Sequence, residues 1–327
     1  MHTSAPKPPL SSWLVSLTVF VSSNTNLVYP NGRQQLEVMV LVEPLMSQTI
    51  SPEELASTRL LARDAQGRFS PLPEGEELDS SWFFSHQRNR YIDYPGSRSI
   101  SVPVDPPSVY SRKFYVSAGK TDGNASRMEK LYVGITRHMG QESHDYVTDG
   151  SETGFNVSAE VRTADIPQFQ VPGNYLFERT LIAGNGNSDI FTWLYALAGA
   201  NVQQQVVGFH CATMEADGMI QWDDKDPSVT RASHVGYSKP GETTLRYNSA
   251  IELGNVFQPV MQVSNPKQNH VMLVLQGSNV IPYHSESAIH HNGPCVLSAV
   301  DVYGNDHRLQ IRFKDTSPQG RRELVLF

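Results

Sequence analysis

Cysteine is scarce in this sequence: Cys211 and Cys295 are its only two thiols, so no disulfide framework holds the fold and its stability rests on an apolar core. One bridge between them stays open beside the plainer reading of two buried thiols that behave as small hydrophobes. Long apolar runs are missing as well. No stretch approaches the ~20 apolar residues of a membrane-spanning helix, so the chain reads as soluble, without a transmembrane segment. Residues 13–21 follow Lys7 and imitate the apolar core of a secretion signal. Ser16 and Thr18 alternate within that stretch, however, and no small-x-small cleavage site follows, so export would need a route that does not clip it.

A basic excess is lacking too. Lys and Arg total 26 against 33 acids, a net charge of −7, which argues against sequence-independent binding to a phosphate backbone. The one basic cluster, Arg308, Arg312, Lys314, Arg321 and Arg322, is interrupted by Asp315 and Glu323. A solvated strand face accounts for it, with an anionic partner as the alternative. Reaction motifs are absent in the same way: there is no Gly-x-Ser-x-Gly elbow, and Gly184-Asn185-Gly186 lacks both the third glycine of a dinucleotide loop and the lysine of a P-loop. No cofactor is implied, and the expectation is a protein that is not an enzyme.

What the chain does have is breakers and short β-branched runs. Its 23 Gly and 21 Pro, spread between runs rich in Val, Leu and aromatics, predict an all-β protein of two or more sandwich-like domains with one or two short helices. Leu36, Val38, Val40 and Val42 take alternate positions, so a side-chain period of two puts all four on one face of a strand. The stretch before it reads likewise, with Trp13, Val15, Leu17, Val19 and Val21 inward. Tyr29-Pro30-Asn31-Gly32 lies between the two and can supply the positive φ of a reversal. Ser51-Pro52-Glu53-Glu54 carries an N-cap residue, a first-position proline and first-turn acids, which predicts a single helical turn. Residues 58–63 form a further strand candidate, and Asp64-Ala65-Gln66-Gly67 the turn after it.

This order of strand, Tyr-Pro-Asn-Gly turn, valine-rich strand and Asp-Ala-Gln-Gly turn resembles the immunoglobulin-like domains of bacterial surface and secreted proteins, over about the first third of the chain. The resemblance implies an interaction or spacer module and brings no catalytic residues. Pro103-Val104-Asp105-Pro106-Pro107 is the expected domain boundary, giving an immunoglobulin-like domain over 1–103 and a larger sandwich over 108–327, divisible near 167–190. In the second part, Phe191, Leu194, Tyr195 and Ala198 fall at helical spacing after Ser188 and Asp189, and predict a buried helix, with a strand as the alternative.

Candidate site residues follow from composition alone. Trp82, Phe83, Phe84, Tyr91 and Tyr94 concentrate aromatic surface that suits an interface or a core, and Trp193 adds a sixth candidate for binding. His284, Glu286, His290, His291 and Cys295 are the densest group of metal-capable side chains, with His284, His290 and Cys295 the candidate ligands. Their spacing matches neither His-Glu-x-x-His nor paired Cys-x-x-Cys, and a polar loop is the plainer account. Cys295 with a neighbouring histidine, and His210-Cys211, imitate a thiol nucleophile and its base. Asp122, Asn124, Ser126 and Glu129, and separately Asp223, Asp224 and Asp226, imitate calcium loops, although turn chemistry explains both. The resulting expectation is a β-sandwich interaction protein, exported by a bacterium, that contacts a protein, a glycan or a membrane surface. A membrane-acting toxin component inserting Phe191–Leu197, and a hydrolase or metalloenzyme using the His284–Cys295 loop, are the alternatives.

Overall fold

The alternating valines of residues 36–44 become a strand at the centre of the first sheet, with Leu36, Val38, Val40 and Val42 buried and Glu37 and Glu43 turned outward. The structure is a computed structural model that describes residues 7–75, 81–95, 109–120, 126–152, 154–200 and 205–327. The protein is all-β and divides into two units, Met1–Ile166 and Pro167–Phe327.

The first unit contains β1 (Leu14–Val21), β2 (Leu27–Val28), β3 (Leu36–Pro44), α1 (Pro52–Ala56), β4 (Arg59–Arg63), β5 (Phe69–Pro71), β6 (Trp82–Ser85), β7 (Tyr110–Ala118), β8 (Met128–Met139), β9 (Glu142–Val147) and β10 (Ala159–Thr163). One sheet runs β1-β3-β7-β6 and the other β2-β10-β8-β4-β5, with β9 beside β8. Val38, Val40, Phe114 and Val116 of the first sheet share a core with Leu60, Leu131, Val133 and Val161 of the second. Two sheets that bury one face each place Leu36, Val38, Val40 and Val42 of β3 in this core and Glu37, Met39, Leu41 and Glu43 on the other side, where Met39 alone is buried.

β1 and β3 pair antiparallel from Val21↔Val38 onward, but the chain between them visits the other sheet, where β2 pairs parallel with β10. Gly32 takes φ 72° on the way back, and its N–H donates to the Ala118 carbonyl at 2.9 Å. Val15 departs from the expected inward set. A register irregularity between Leu14 and Ser16 leaves it out of the ladder and 54% exposed, because the extra residue of a bulge reverses which face it meets. α1 forms as its capping residues dictate: Glu54 N–H donates to Ser51 Oγ at 3.1 Å, and Ser51 N–H donates to the Glu54 carboxylate at 2.9 Å.

The expected boundary at Pro103 is corrected. Residues 101–108 lie outside the described residues, yet β7 beyond them pairs with β3 and β6 before them. A linker between domains cannot separate strands of one ladder, and the division falls instead between Ile166 and Pro167.

The second unit contains β11 (Tyr175–Gly184), β12 (Phe191–Ala200), β13 (Val206–Val207), β14 (Phe209–Glu215), β15 (Met219–Trp222), β16 (Ala232–Ser238), β17 (Val271–Ser278), α2 (Ser285–His290), β18 (Cys295–Asp301), β19 (Asp306–Phe313) and β20 (Leu324–Leu326). A larger sheet runs β11-β12-β17-β16-β15 with β13 beside β12, and a smaller one runs β14-β18-β19-β20. Between them lies a core of Phe191, Tyr195, Leu197, Val235, Leu273, Leu275, Leu297, Leu309 and Ile311. The opposite face of the larger sheet is also covered. Ala196, Met272 and Val274 pack against Leu245 and Val263, while Ile220, Trp222 and Ala232 pack against Ile251, Phe257 and Ile281. The irregular segment 239–270 thus acts as a strap that adds a third layer.

That third layer explains the fate of the expected helix. Residues 191–200 are a strand, paired with β11 on one side and β17 on the other. Its odd-numbered positions face the inter-sheet core, and Leu194 and Ala196 face the strap, so both sides are apolar in any conformation. Cys211 and Cys295 are both free thiols. They lie on neighbouring strands in a register that opposes Cys211 to Val300, five positions from Cys295.

Candidate functional site

Aromatic clustering turns out to mark the core of the first unit. Trp82, Phe83 and Phe84 are buried, Trp82 and Phe84 inside the apolar cluster and Phe84 edge-on to Phe114 with ring centroids 5.2 Å apart. They are corrected from candidate contact residues to packing residues. Tyr91 and Tyr94 are half-buried; Tyr94 packs on Tyr29 at 5.0 Å, and the Arg90 guanidinium lies over the Tyr91 ring at 5.6 Å. Trp193 is half-buried at the margin of the second core, with the Arg179 guanidinium 4.4 Å above its ring. Phe191–Leu197 is an interior strand with neighbours on both sides, so inserting it into a bilayer would require dismantling the sheet. No helix among the described residues is long and apolar enough to cross a membrane.

The histidine-rich segment does not converge. His284 caps α2, its Nδ1 accepting from Ser287 N–H at 3.3 Å, and its Nε2 sits 3.4 Å from Glu252. His290 lies at the other end of the helix, 3.4 Å from Glu286, and His291 meets Asn248 at 3.2 Å. Cys295 faces the core between the sheets, where burial pushes its thiol up to about 11. A thiol kept protonated at neutral pH is a poor nucleophile. Among the described residues no group of three or more His, Cys, Asp or Glu side chains is placed to hold a metal ion. Of the calcium-like candidates, Asp122 and Asn124 lie outside the described residues. Asp226 accepts from the Ser228 N–H and hydroxyl in an ordinary turn, and Asp223 is held by arginines.

A polar network that spacing alone does not disclose sits at one end of the second core. His307 places Nδ1 3.0 Å from the Tyr175 hydroxyl and Nε2 3.2 Å from Asp301, which also accepts from the N–H groups of Tyr303 and Asn305. All three members of this Tyr-His-Asp chain are buried, and Phe169 and Phe209 flank the imidazole. Burial and the Asp301 carboxylate push the phenol up to about 12. That is the opposite of an activated hydroxyl, so the network braces the β18–β19 turn.

A separate concavity lies elsewhere in the same unit. A groove of about 560 Å³ runs between the end of β15, the start of β18 and the segment after β19. Trp222 forms its floor: the indole N–H donates to the Ile281 carbonyl at 3.2 Å, and Tyr283 packs edge-on at 5.5 Å. Tyr283 is half-buried and lines the groove with Asp224, Lys225, Arg312, Lys314 and Asp315, all exposed. Gln221 ties the two walls together by donating to the Asp315 carbonyl at 2.9 Å.

Arg321 anchors this region. Its side chain is 0% exposed, donates to Ser233 Oγ at 3.0 Å and Asp189 at 2.7 Å, and pairs with Asp223. Arg231 reaches Asp223 from the solvent side at 2.8 Å. The expectation of one solvated basic face therefore holds for Arg308, Arg312 and Lys314 but not for Arg321. Asp189 and Asp223 stand 132 and 98 positions away in sequence, and no local signal marks them as its partners.

Neither protein-family models nor curated proteins match this chain. Among solved structures, the chain is similar at 10% identity to one titled "Structure of Yersinia pseudotuberculosis adhesin InvE", with a TM-score of 0.20. The alignment covers 98% of this chain and 61% of the adhesin chain, so the present sequence spans under two thirds of that protein's length. A score that low does not establish a shared fold, and the functional reading rests on the chain's own groove.

Proposed function

We propose that the chain is a binding protein without catalytic activity, and that the groove beside Trp222 and Tyr283 takes a glycan. The observation that carries this reading is the lining itself: a half-buried tyrosine on a tryptophan floor, ringed by carboxylates, ammonium and guanidinium groups. A sugar presents C–H faces that pack on aromatic rings and hydroxyls that both donate and accept, so it matches a mixed rim better than a purely anionic or apolar ligand does. The scattered imidazoles and the buried thiol support a role in recognition over reaction. An exported bacterial interaction protein is the setting that the immunoglobulin-like resemblance of the first third implies.

The test is a panel of neutral, N-acetylated and sialylated oligosaccharides titrated calorimetrically into the wild type and into Tyr283→Ala. A ligand from that panel should bind the wild type and lose about tenfold in affinity in the variant, equivalent to roughly 1.4 kcal/mol for one aromatic contact. Absence of binding by every member of the panel, or equal binding by Tyr283→Ala, would overturn the proposal.

A further inference from the structure

We infer that His234 and the strap over it form an acid-sensitive latch, in which protonation of the imidazole releases residues 239–270 from the larger sheet of the second unit. His234 lies in β16 opposite Ile220 of β15 and Gln276 of β17, on the sheet face that the strap covers. Its side chain is 0% exposed. Tyr247 of the strap stacks on the ring at 4.8 Å with planes 19° apart, and Phe257 of the strap stands edge-on at 6.0 Å. Neither ring nitrogen has a hydrogen-bond partner among the described residues.

Every neighbouring group is either apolar or committed elsewhere. Ile220 and Phe257 carry no charge. Gln276 accepts from Val260 N–H at 3.0 Å and donates to the Gln258 carbonyl at 3.1 Å, and the Tyr247 hydroxyl donates to the Val260 carbonyl. Among the described residues Tyr247 is the titratable group stacked on the ring, and burial pushes its phenol above the ordinary range, so it offers no negative charge. The same polar contacts that would have served the imidazole instead hold the strap to the sheet.

A neutral imidazole tolerates this pocket, whereas an imidazolium would be a buried, unpaired charge. Burial alone lowers the His234 group from 6.5 to about 3. The sign follows from proton counting: above pH 6.5 the closed and open forms bind the same number of protons, and below it the open form binds one more. Closure is therefore fully favoured above pH 6.5 and weakens as pH falls toward about 3. Opening is local, because among the described residues the strap's one backbone bridge to β16 is Tyr237↔Arg246 and its Thr244↔Gln262 bridge is internal, which leaves apolar packing and the side chains of Gln276 and Glu178 as its other ties to the larger sheet. What it would uncover is apolar: Ala196, Met272 and Val274 on one side of His234, and Ile220 and Ala232 on the other.

The test is amide hydrogen exchange of the intact chain from pH 7 to pH 4, expressed as protection factors so that the intrinsic pH dependence cancels. Protection of the strap amides that donate across to the sheet, Arg246 to the Tyr237 carbonyl and Val260 to the Gln276 side chain, should fall by about tenfold per pH unit below 6.5. β17 amides should hold their protection. In His234→Phe, which keeps an aromatic ring for the stack but cannot titrate, the strap should lose this slope; His234→Gln serves as the second variant if the phenylalanine does not fold. Three results would overturn the latch: strap protection in the wild type that is flat from pH 7 to pH 4, an unchanged slope in the folded variant, or a matching loss in β17.

Discussion

The two units use the same sheets of alternating β-strands and differ in what covers them. In the first, β3 buries Leu36, Val38, Val40 and Val42 against the facing sheet, and of its outward positions Met39 is buried while Glu37, Leu41 and Glu43 are half-covered. In the second, all seven residues of β16 are buried, as are Val271 to Leu275 of β17, because the strap occupies the face that water would otherwise wet. A two-layer sandwich lets its outward positions take polar groups such as Glu37 and Glu43. In a three-layer unit both faces are dry, and enclosed polar groups such as Arg321 and His234 become either anchors or liabilities according to whether they find partners.

Three substitutions test this contrast, each read by chemical denaturation together with exchange resolved over both units. Arg321→Ala should have the largest effect, destabilising the second unit by about 3 kcal/mol because Asp189 and Asp223 lose their buried partner; Arg231 still reaches Asp223, which keeps the cost at the lower end. Protection in the first unit should not change, and an equal loss there would show that the two units do not differ in this way. Gly236→Ala comes next. A Cβ at that position would stand 2.2 Å from the Tyr247 ring, so the strap must shift, at a cost of about 2 kcal/mol, and exchange should rise in residues 239–270 first. The smallest effect is expected in the first unit, where Ser51→Ala removes the cap of α1 and should cost about 1 kcal/mol; a measured loss above that of Arg321→Ala would invert the comparison.

The sequence was most informative where one side of an element meets water. The inward set of β3, the single capped turn of α1 and the positive φ within Tyr29-Pro30-Asn31-Gly32, 72° at Gly32, all follow from local pattern and are all present. Legibility failed where both sides are buried. Residues 191–198 carry apolar groups at every spacing, so helix and strand fit equally well until β11 and β17 pair with them. The candidate contact residues failed for a related reason: Trp82, Phe83 and Phe84 are as apolar as any exposed patch, and only burial distinguishes packing from recognition. The groove was illegible for a third reason. Trp222, Tyr283 and Arg312 come from segments up to 90 positions apart, and a site assembled by tertiary contact leaves no spacing to read.

By itself, the sequence determined the class of structure, because strand periodicity, glycine and proline breaks and cap chemistry act over a few residues and are written into neighbouring positions. Only the tertiary structure decided which strands share a sheet across Pro103, which face of the larger sheet lies under the strap, and that Arg321 is paired while His234 is not. Those outcomes depend on which distant segments exclude water from a given side chain, and burial of that kind is a property of the packed whole that no local window contains.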